Sequence, residues 1–272
     1  MEIFHHYGIK LASDEDRKAF ADVGIELEPG ARLPQGGMFV GLDLGESDQR
    51  WLRAQQVIER HKITDFPFTK FSKSEFASAS SFCMLARSHR GYPQPEEDFG
   101  YLSETYDLTD YCSKCGNGCR QVRPFRLKSI PALKRSVMQL NWVFDEFFVS
   151  QEVWFEVFKP FGVECWPVVA HKSGNAADSV VQLKIDEQVQ LKMKDGDGTD
   201  CPICKRPKKP LDLRGFAPAP VSMKAHICRS IQGFGSGAAA FDRIMVSNLL
   251  YREIKKAKLS GVQFYPCQPD TQ

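Results

Sequence analysis

FDEFFVSQEV, residues 144–153, returns 97 positions later as FDRIMVSNLL, residues 241–250. Each copy runs from Phe-Asp through three residues to Val-Ser and then into an apolar pattern of helical period. A serine just before such a pattern is a helix N-cap, because its hydroxyl accepts a backbone N–H that the helix start leaves unpaired. Ser150 thus predicts a helix carrying Val153, Trp154, Val157 and Phe158, and Ser247 one carrying Leu249, Leu250, Ile254 and Ala257. Gly162 and Gly261 are placed to end these helices, and GVECWP (162–167) and GVQFYP (261–266) then read as short strands closed by proline. Phe144 and Phe241 are expected in the core of a strand-to-helix joint. Asp145 and Asp242 invite comparison with a catalytic carboxylate pair. The sequence puts no base, nucleophile or second metal cluster beside them, so they are read as solvated or capping carboxylates.

Each copy is also preceded by a C-x-x-C pair: Cys112 with Cys115 in CSKCG, and Cys201 with Cys204 in CPICK. Two intervening residues let both thiolates point into one tight turn, the arrangement of two vertices of a zinc tetrahedron. Gly116 after the first pair and Pro202 inside the second suit that turn. With separate sites or no metal as the alternative, one closed structural zinc site is expected from the two pairs together. Neither has the strand-CxxC-helix setting of a redox dithiol, and four thiolates leave no open position for catalysis. Cys119, His226 and Cys228 remain possible substitutes for a ligand, whereas Cys83, Cys165 and Cys267 read as buried small hydrophobes. After the knuckles come PFRLK (124–128) and PLDLR (210–214). Knuckle, Pro-apolar-x-Leu-basic, FDxxxVS and GVxxxP recur in one order. This predicts an α+β fold of pseudo-duplicated strand-helix-strand units, each preceded by a zinc knuckle and joined through one zinc-ribbon-like site. The duplicated region is set at residues 106–272, with halves of about 106–170 and 195–272. An N-terminal α/β part, 1–105, packs with it as one compact unit.

Composition narrows the function. No apolar run approaches the roughly 20 residues that cross a bilayer, and the first residues lack the pattern of a secretory signal, so a cytoplasmic protein is expected. Nine cysteines, an odd number, weigh against a disulfide framework. Thirty-six basic against 34 acidic side chains favour neither a nucleic-acid binder nor an acidic mimic.

Elsewhere, Ser13 to Gly24 reads as a helix with a serine cap, and a second helix starts near Ser47 with Trp51, Ala54 and Ile58 on one stripe. Residues 66–82 are rich in aromatics and cover the core. VVQLKI (180–185) and VQLKM (189–193) alternate around residues 186–188 and predict a hairpin, and 194–200 is a loop into the second knuckle. His5 and His6 fall on opposite faces of a first strand. GFGSGA (233–238) resembles a phosphate cradle but lacks the Lys-Ser/Thr of a P-loop and a clear strand before it, so it is read as a flexible loop. KRPKKP (205–210) lacks interleaved aromatics and is read as a solvated loop; nucleic-acid binding through it and the zinc ribbon is the alternative function.

Residues 92–111, YPQPEEDFGYLSETYDLTDY, hold six acids, no Lys or Arg, and four of the chain's seven tyrosines. Tyrosine offers a large apolar face and a hydroxyl at small entropic cost, and surrounding acids speed encounter with a basic partner. Tyr92, Glu96, Glu97, Asp98, Tyr101, Glu104 and Tyr106 are the candidate partner-binding residues; the competing reading is that the tyrosines cover the knuckle. The two C-x-x-C pairs, with the closing VSNLLYREIKKAKLSGVQFYPC, resemble the bacterial double-CxxCG-motif proteins. These include immunity proteins that neutralise toxins delivered between neighbouring cells. GYPQPEEDFGYLSETYDLTDYCSKCG and LNWVFDEFFV are similar to blocks of a related bacterial group, and the resemblance spans roughly residues 66–272. It departs at Lys205, where the family has glycine. It implies no catalytic residues, one structural zinc on Cys112, Cys115, Cys201 and Cys204, and a cognate protein toxin as partner, encoded beside it. Neither a membrane nor a nucleic acid is expected as partner.

Overall fold

The computed structural model describes residues 1–11, 14–28, 30–32, 38–193 and 198–269. The chain forms two compact units, Met1–Ala77 with Asp212–Phe216, and Ser78–Leu211 with Ala217–Gln272. The boundary expected near residue 105 thus falls at Ala77–Ser78. In addition, part of PLDLR joins the first unit instead of repeating PFRLK.

The first unit contains β1 (Glu2–Leu11), α1 (Asp14–Asp22), β2 (Ala31–Arg32), β3 (Met38–Gly45), α2 (Trp51–Arg60), β4 (Asp65–Lys70) and α3 (Lys73–Ser78). Its antiparallel sheet has the order β2-β3-β1-β4. Alternation along β1 turns His5, Tyr7 and Ile9 inward, where Tyr7 and Ile9 join Phe20, Val40, Leu44, Ala54 and Ile58 in a core. His6 faces out, beside Asp43. Helix α2 begins at Trp51 rather than Ser47, because Asp48 holds the entering turn through the backbone and side chain of Arg50. The serine cap expected at Ser13 lies outside the described residues.

The second unit runs through β5 (Ser81–Ala86), a 3₁₀ turn (Glu97–Phe99), α4 (Tyr101–Thr105), β6 (Tyr106–Asp107), β7 (Arg120–Gln121), β8 (Arg126–Leu127), β9 (Met138–Leu140) and β10 (Val143–Ser150). It continues with α5 (Gln151–Val153), helical turns to Phe161, β11 (Glu164–Ala170), β12 (Ala176–Lys184), β13 (Gln188–Val189), β14 (Thr199–Asp200) and β15 (Pro207–Lys209). It closes with β16 (Ile227–Phe234), β17 (Phe241–Ser247), α6 (Asn248–Lys256) and β18 (Val262–Pro266). One sheet has the order β8-β11-β12-β10-β9, and another β14-β15-β16-β17-β5-β18 with β13 on β16. In the first, β10, its helix and β11 bracket the antiparallel strand β12. In the second, β17, α6 and β18 bracket β5 in the same sense.

Both quoted stretches are therefore strand followed by helix. The middle of each strand, Glu146–Val149 and Arg243–Val246, is buried on both faces, as an interior strand must be. The Ser150 hydroxyl accepts the Val153 N–H at 3.2 Å and the Ser247 hydroxyl that of Leu250 at 3.3 Å, so both are N-caps. Gly162 ends the first helix at φ 76°, but α6 is ended by Lys258, and Gly261 turns the chain into β18. The hairpin expected across residues 180–193 does not form: β12 pairs with β10 and β11, whereas β13 pairs in parallel with β16. The aromatic segment 66–82 splits between β4, α3 and the first residues of β5, an interior strand.

Candidate metal centre and the adjoining cavity

The two knuckles have the same backbone. Gly116 N–H donates to Cys112 O at 2.7 Å and Lys205 N–H to Cys201 O at 2.9 Å; Cys112 N–H donates to Asn117 O at 2.9 Å and Cys201 N–H to Arg206 O at 3.0 Å. Gly116 takes the left-handed φ of 82° that this turn needs, and Lys205 takes 62° in its place. The four sulfurs lie within 4.8 Å of one another, with Cys112 to Cys201 at 3.8 Å and Cys115 to Cys204 at 3.6 Å. Four sulfurs tetrahedrally placed about 2.3 Å from a zinc ion stand about 3.8 Å apart, so the set could hold such an ion.

The surroundings favour thiolates. Backbone N–H groups of Cys115 and then Lys114 hold the Cys112 thiol below its ordinary range against burial. Those of Cys204 and Ile203 pull Cys201 down to about 6. Cys204 has the Arg206 N–H in its favour, but burial and its own hydrogen bonds to the other three sulfurs push it to about 11. Four thiolates this close cannot all ionise alone, and a divalent cation removes the conflict. The Asn117 amide donates to Cys115 Sγ at 3.4 Å and orients it. None of the three alternative ligands joins the cluster. Cys119 lies over Gly116 O at 4.0 Å, His226 bonds the Ser247 hydroxyl at 2.9 Å, and Cys228 is buried against Ala225 O. Cys83 and Cys267 are buried as expected, and Cys165 is half-buried.

KRPKKP is not a free basic loop. Arg206 donates to Asp110 O at 2.6 Å and Asn117 O at 3.3 Å, and Lys208 to Cys115 O at 3.1 Å, Gly237 O at 2.5 Å and Ala239 O at 3.3 Å. Both cations thus bind backbone carbonyls around the first knuckle. GFGSGA begins within β16, whose last residues are Gly233 and Phe234, so a strand does lead into it, contrary to expectation; the Gly237 carbonyl of its loop is among those Lys208 holds.

Beside the knuckles a cavity of about 1100 Å³ opens between the two copies of Phe-Asp. Phe144 and Phe241 meet edge to face at 5.8 Å, and the Asp242 N–H donates to Asp145 Oδ2 at 3.0 Å. The two aspartates are thus half-buried, hydrogen-bonded groups and not helix caps. Phe144 is exposed and not core, whereas Phe241 is half-buried and packs against the cluster around Phe234 and Met245. Arg229 reaches Glu146 at 2.9 Å, Asp242 at 3.1 Å and Ile185 O at 2.7 Å, and Gln182 donates to Glu146 at 2.8 Å. Burial, and then the charge of Asp242, push the Asp145 carboxyl up to about 6, and burial raises Glu146 and Asp242 as well.

The candidate partner residues divide. Tyr92, Glu97, Asp98 and Glu104 are exposed, and Glu96 is half-buried and accepts from Gln94 at 3.4 Å. Tyr101 is buried and Tyr106 half-buried with its ring edge on Phe125 at 5.8 Å, so both turn inward and line the cavity. Burial pushes the Tyr101 hydroxyl up to about 12. Trp142 was not singled out in the sequence, yet Tyr92 packs on it at 4.6 Å and Phe99 at 4.8 Å. Phe99, Trp142 and Phe144 remain 53%, 37% and 42% exposed. Asp98, Phe99 and Trp142 all hold left-handed φ, between 50° and 69°, a conformation that costs non-glycine residues on the order of 1–3 kcal/mol. Such strain is not legible in the sequence; the repeated Phe-Asp was the signal for the cavity.

No family model, no curated protein and no solved structure matches this chain.

Proposed function

We propose that this chain is an immunity-type binding protein: it neutralises a protein toxin by covering part of its surface and carries out no chemistry of its own. The observation that carries the reading is the exposed aromatic patch of Tyr92, Phe99, Trp142 and Phe144, edged by Glu97 and Asp98. Phe99 and Trp142, held at the surface in strained left-handed backbone, suit a binding surface, and the acids beside them match a basic partner. One structural zinc on the four cysteines would tie the halves of the unit together. The sequence resemblance, and an internal duplication, agree with this. In each sheet the quoted strand, its helix and the next strand bracket an antiparallel strand, β12 or β5, which supports descent from one repeated unit. A cytoplasmic site of action is part of the proposal; among the described residues no helix is long and apolar enough to cross a membrane. The nucleic-acid alternative draws less support, since Arg206 and Lys208 are engaged with backbone carbonyls.

Calorimetry with the product of the adjacent gene tests it. A one-to-one complex is expected, weakened about 30-fold or more when Phe99 and Trp142 are both changed to alanine, as for central aromatic anchors. No complex, or toxicity equal with and without this chain, overturns the reading.

A further inference from the structure

We infer that the cavity between the two Phe-Asp copies is a binding site for an organic cation, an ammonium or guanidinium group carried on an apolar body. The cavity, about 1100 Å³, is at the upper end of what small-ligand sites enclose. Its lining combines three things.

Aromatic rings supply much of it: Tyr101, Tyr106, Trp142, Phe144 and Trp166. Their negative faces attract a cation that lies within about 6 Å, and they also cover an alkyl or aryl body. The cations of the lining are already held. Arg120 pairs with Asp107 at 2.9 Å, Lys184 with Glu164 at 2.7 Å, Arg229 with Glu146 at 2.9 Å, and Arg206 bonds Asp110 O at 2.6 Å. Each thus already has an acceptor, and Arg120, Lys184 and Arg229 are each paired with a carboxylate. Asp145 is the contrasting group: it accepts the Asp242 N–H, but among the described residues no cation lies within ion-pair distance of it. A carboxylate with no cation in direct contact, its nearby Arg229 already bound to Glu146 and Asp242, beside rings that favour positive charge, selects a cation over an anion.

The same chemistry has two sources, a free amine or the side chain of a partner's lysine or arginine. The second deepens the immunity reading and rests on it; the first does not. Agmatine and N-acetyl-arginine methylamide serve as probes, titrated into the full chain by calorimetry, with butyrate as an anionic control. Both cationic probes are expected to bind, butyrate is not, and Asp145→Asn is expected to weaken binding at least tenfold while thermal unfolding shows the variant folded. Tighter agmatine points to a free amine, and tighter arginine amide to a side chain.

No binding of either cation at millimolar concentration, or equal binding by wild type and Asp145→Asn, overturns the inference. Should Asp145→Asn not fold, Phe144→Ala gives the same decision by removing a ring of the lining. Failure of the adjacent gene product to bind would leave a positive agmatine result standing, so the two proposals fail separately.

Discussion

Burial, and then the charge of Asp242, push the Asp145 carboxyl up, against the pull of Arg229 and of the Asp242 N–H, with Cys119 and Tyr101 nearby. Its carboxyl titrates near 6 in the folded chain against 3.8 ordinarily. The folded state thus keeps a proton that the unfolded chain has lost. This favours the fold fully below about pH 4, and the advantage disappears as pH rises through about 6. Asparagine mimics the protonated form and still accepts the Asp242 N–H. Asp145→Asn should therefore melt with wild type near pH 4 and several degrees above it beyond pH 7, from an effect on the order of 1–2 kcal/mol. Melting curves of the two proteins across this range check it, and a difference that does not change with pH would refute the assignment. Asp145 drew notice in the sequence as half of a repeated dipeptide. Its burial did not show there, because it depends on a strand nearly 100 residues away.

At the scale of the element, the two knuckles were almost wholly legible, since C-x-x-C spacing and a following left-handed residue encode a local turn. Lys205 tests this. It is exposed and adopts a φ of 62° where the other knuckle uses glycine. Lys205→Gly should raise the melting temperature by a few degrees, the return of about 1 kcal/mol of left-handed strain. Gly116→Ala should do the reverse and more, because a Cβ there would lie 2.5 Å from Ala238 O and 2.6 Å from Ala240 N. Differential scanning calorimetry of both variants decides it; a destabilising Lys205→Gly would mean the lysine side chain has a role in the knuckle. The helix starts at Ser150 and Ser247 were equally readable, whereas that of α2 was not. The hairpin predicted over 180–193 was not. Alternation says only that each segment is a strand, and β13 finds a better partner in β16.

Over the whole second unit, the four cysteines join segments 89 residues apart, Cys112 to Cys201 and Cys115 to Cys204. A metal ion there would close a long loop beside the cavity, which Gly116, Asn117 and Arg206 line. Cys112→Ser and Cys201→Ser should each take bound zinc from one equivalent to none by elemental analysis. Each should lower the melting temperature about as much as a chelator lowers that of wild type. One full equivalent retained in both variants would refute a single four-thiolate centre. The unit also has apolar clusters around Phe125 and Phe148 and around Phe234 and Met245, so it is expected to lose stability, not all structure.

The sequence by itself determined what is local: two cysteine turns, two serine-capped helices after strands, and the placing of His5 and His6 on opposite faces of β1. Each follows from spacing within about ten residues, where chain geometry leaves few choices. Only the tertiary structure decided which strands become neighbours. It placed β5 between β17 and β18, sent part of PLDLR to the first unit, turned Tyr101 and Tyr106 inward, and brought Phe144 and Asp145 against Phe241 and Asp242. Pairing over such distances is settled by burial and hydrogen-bond satisfaction across the whole unit, which no single stretch of sequence records.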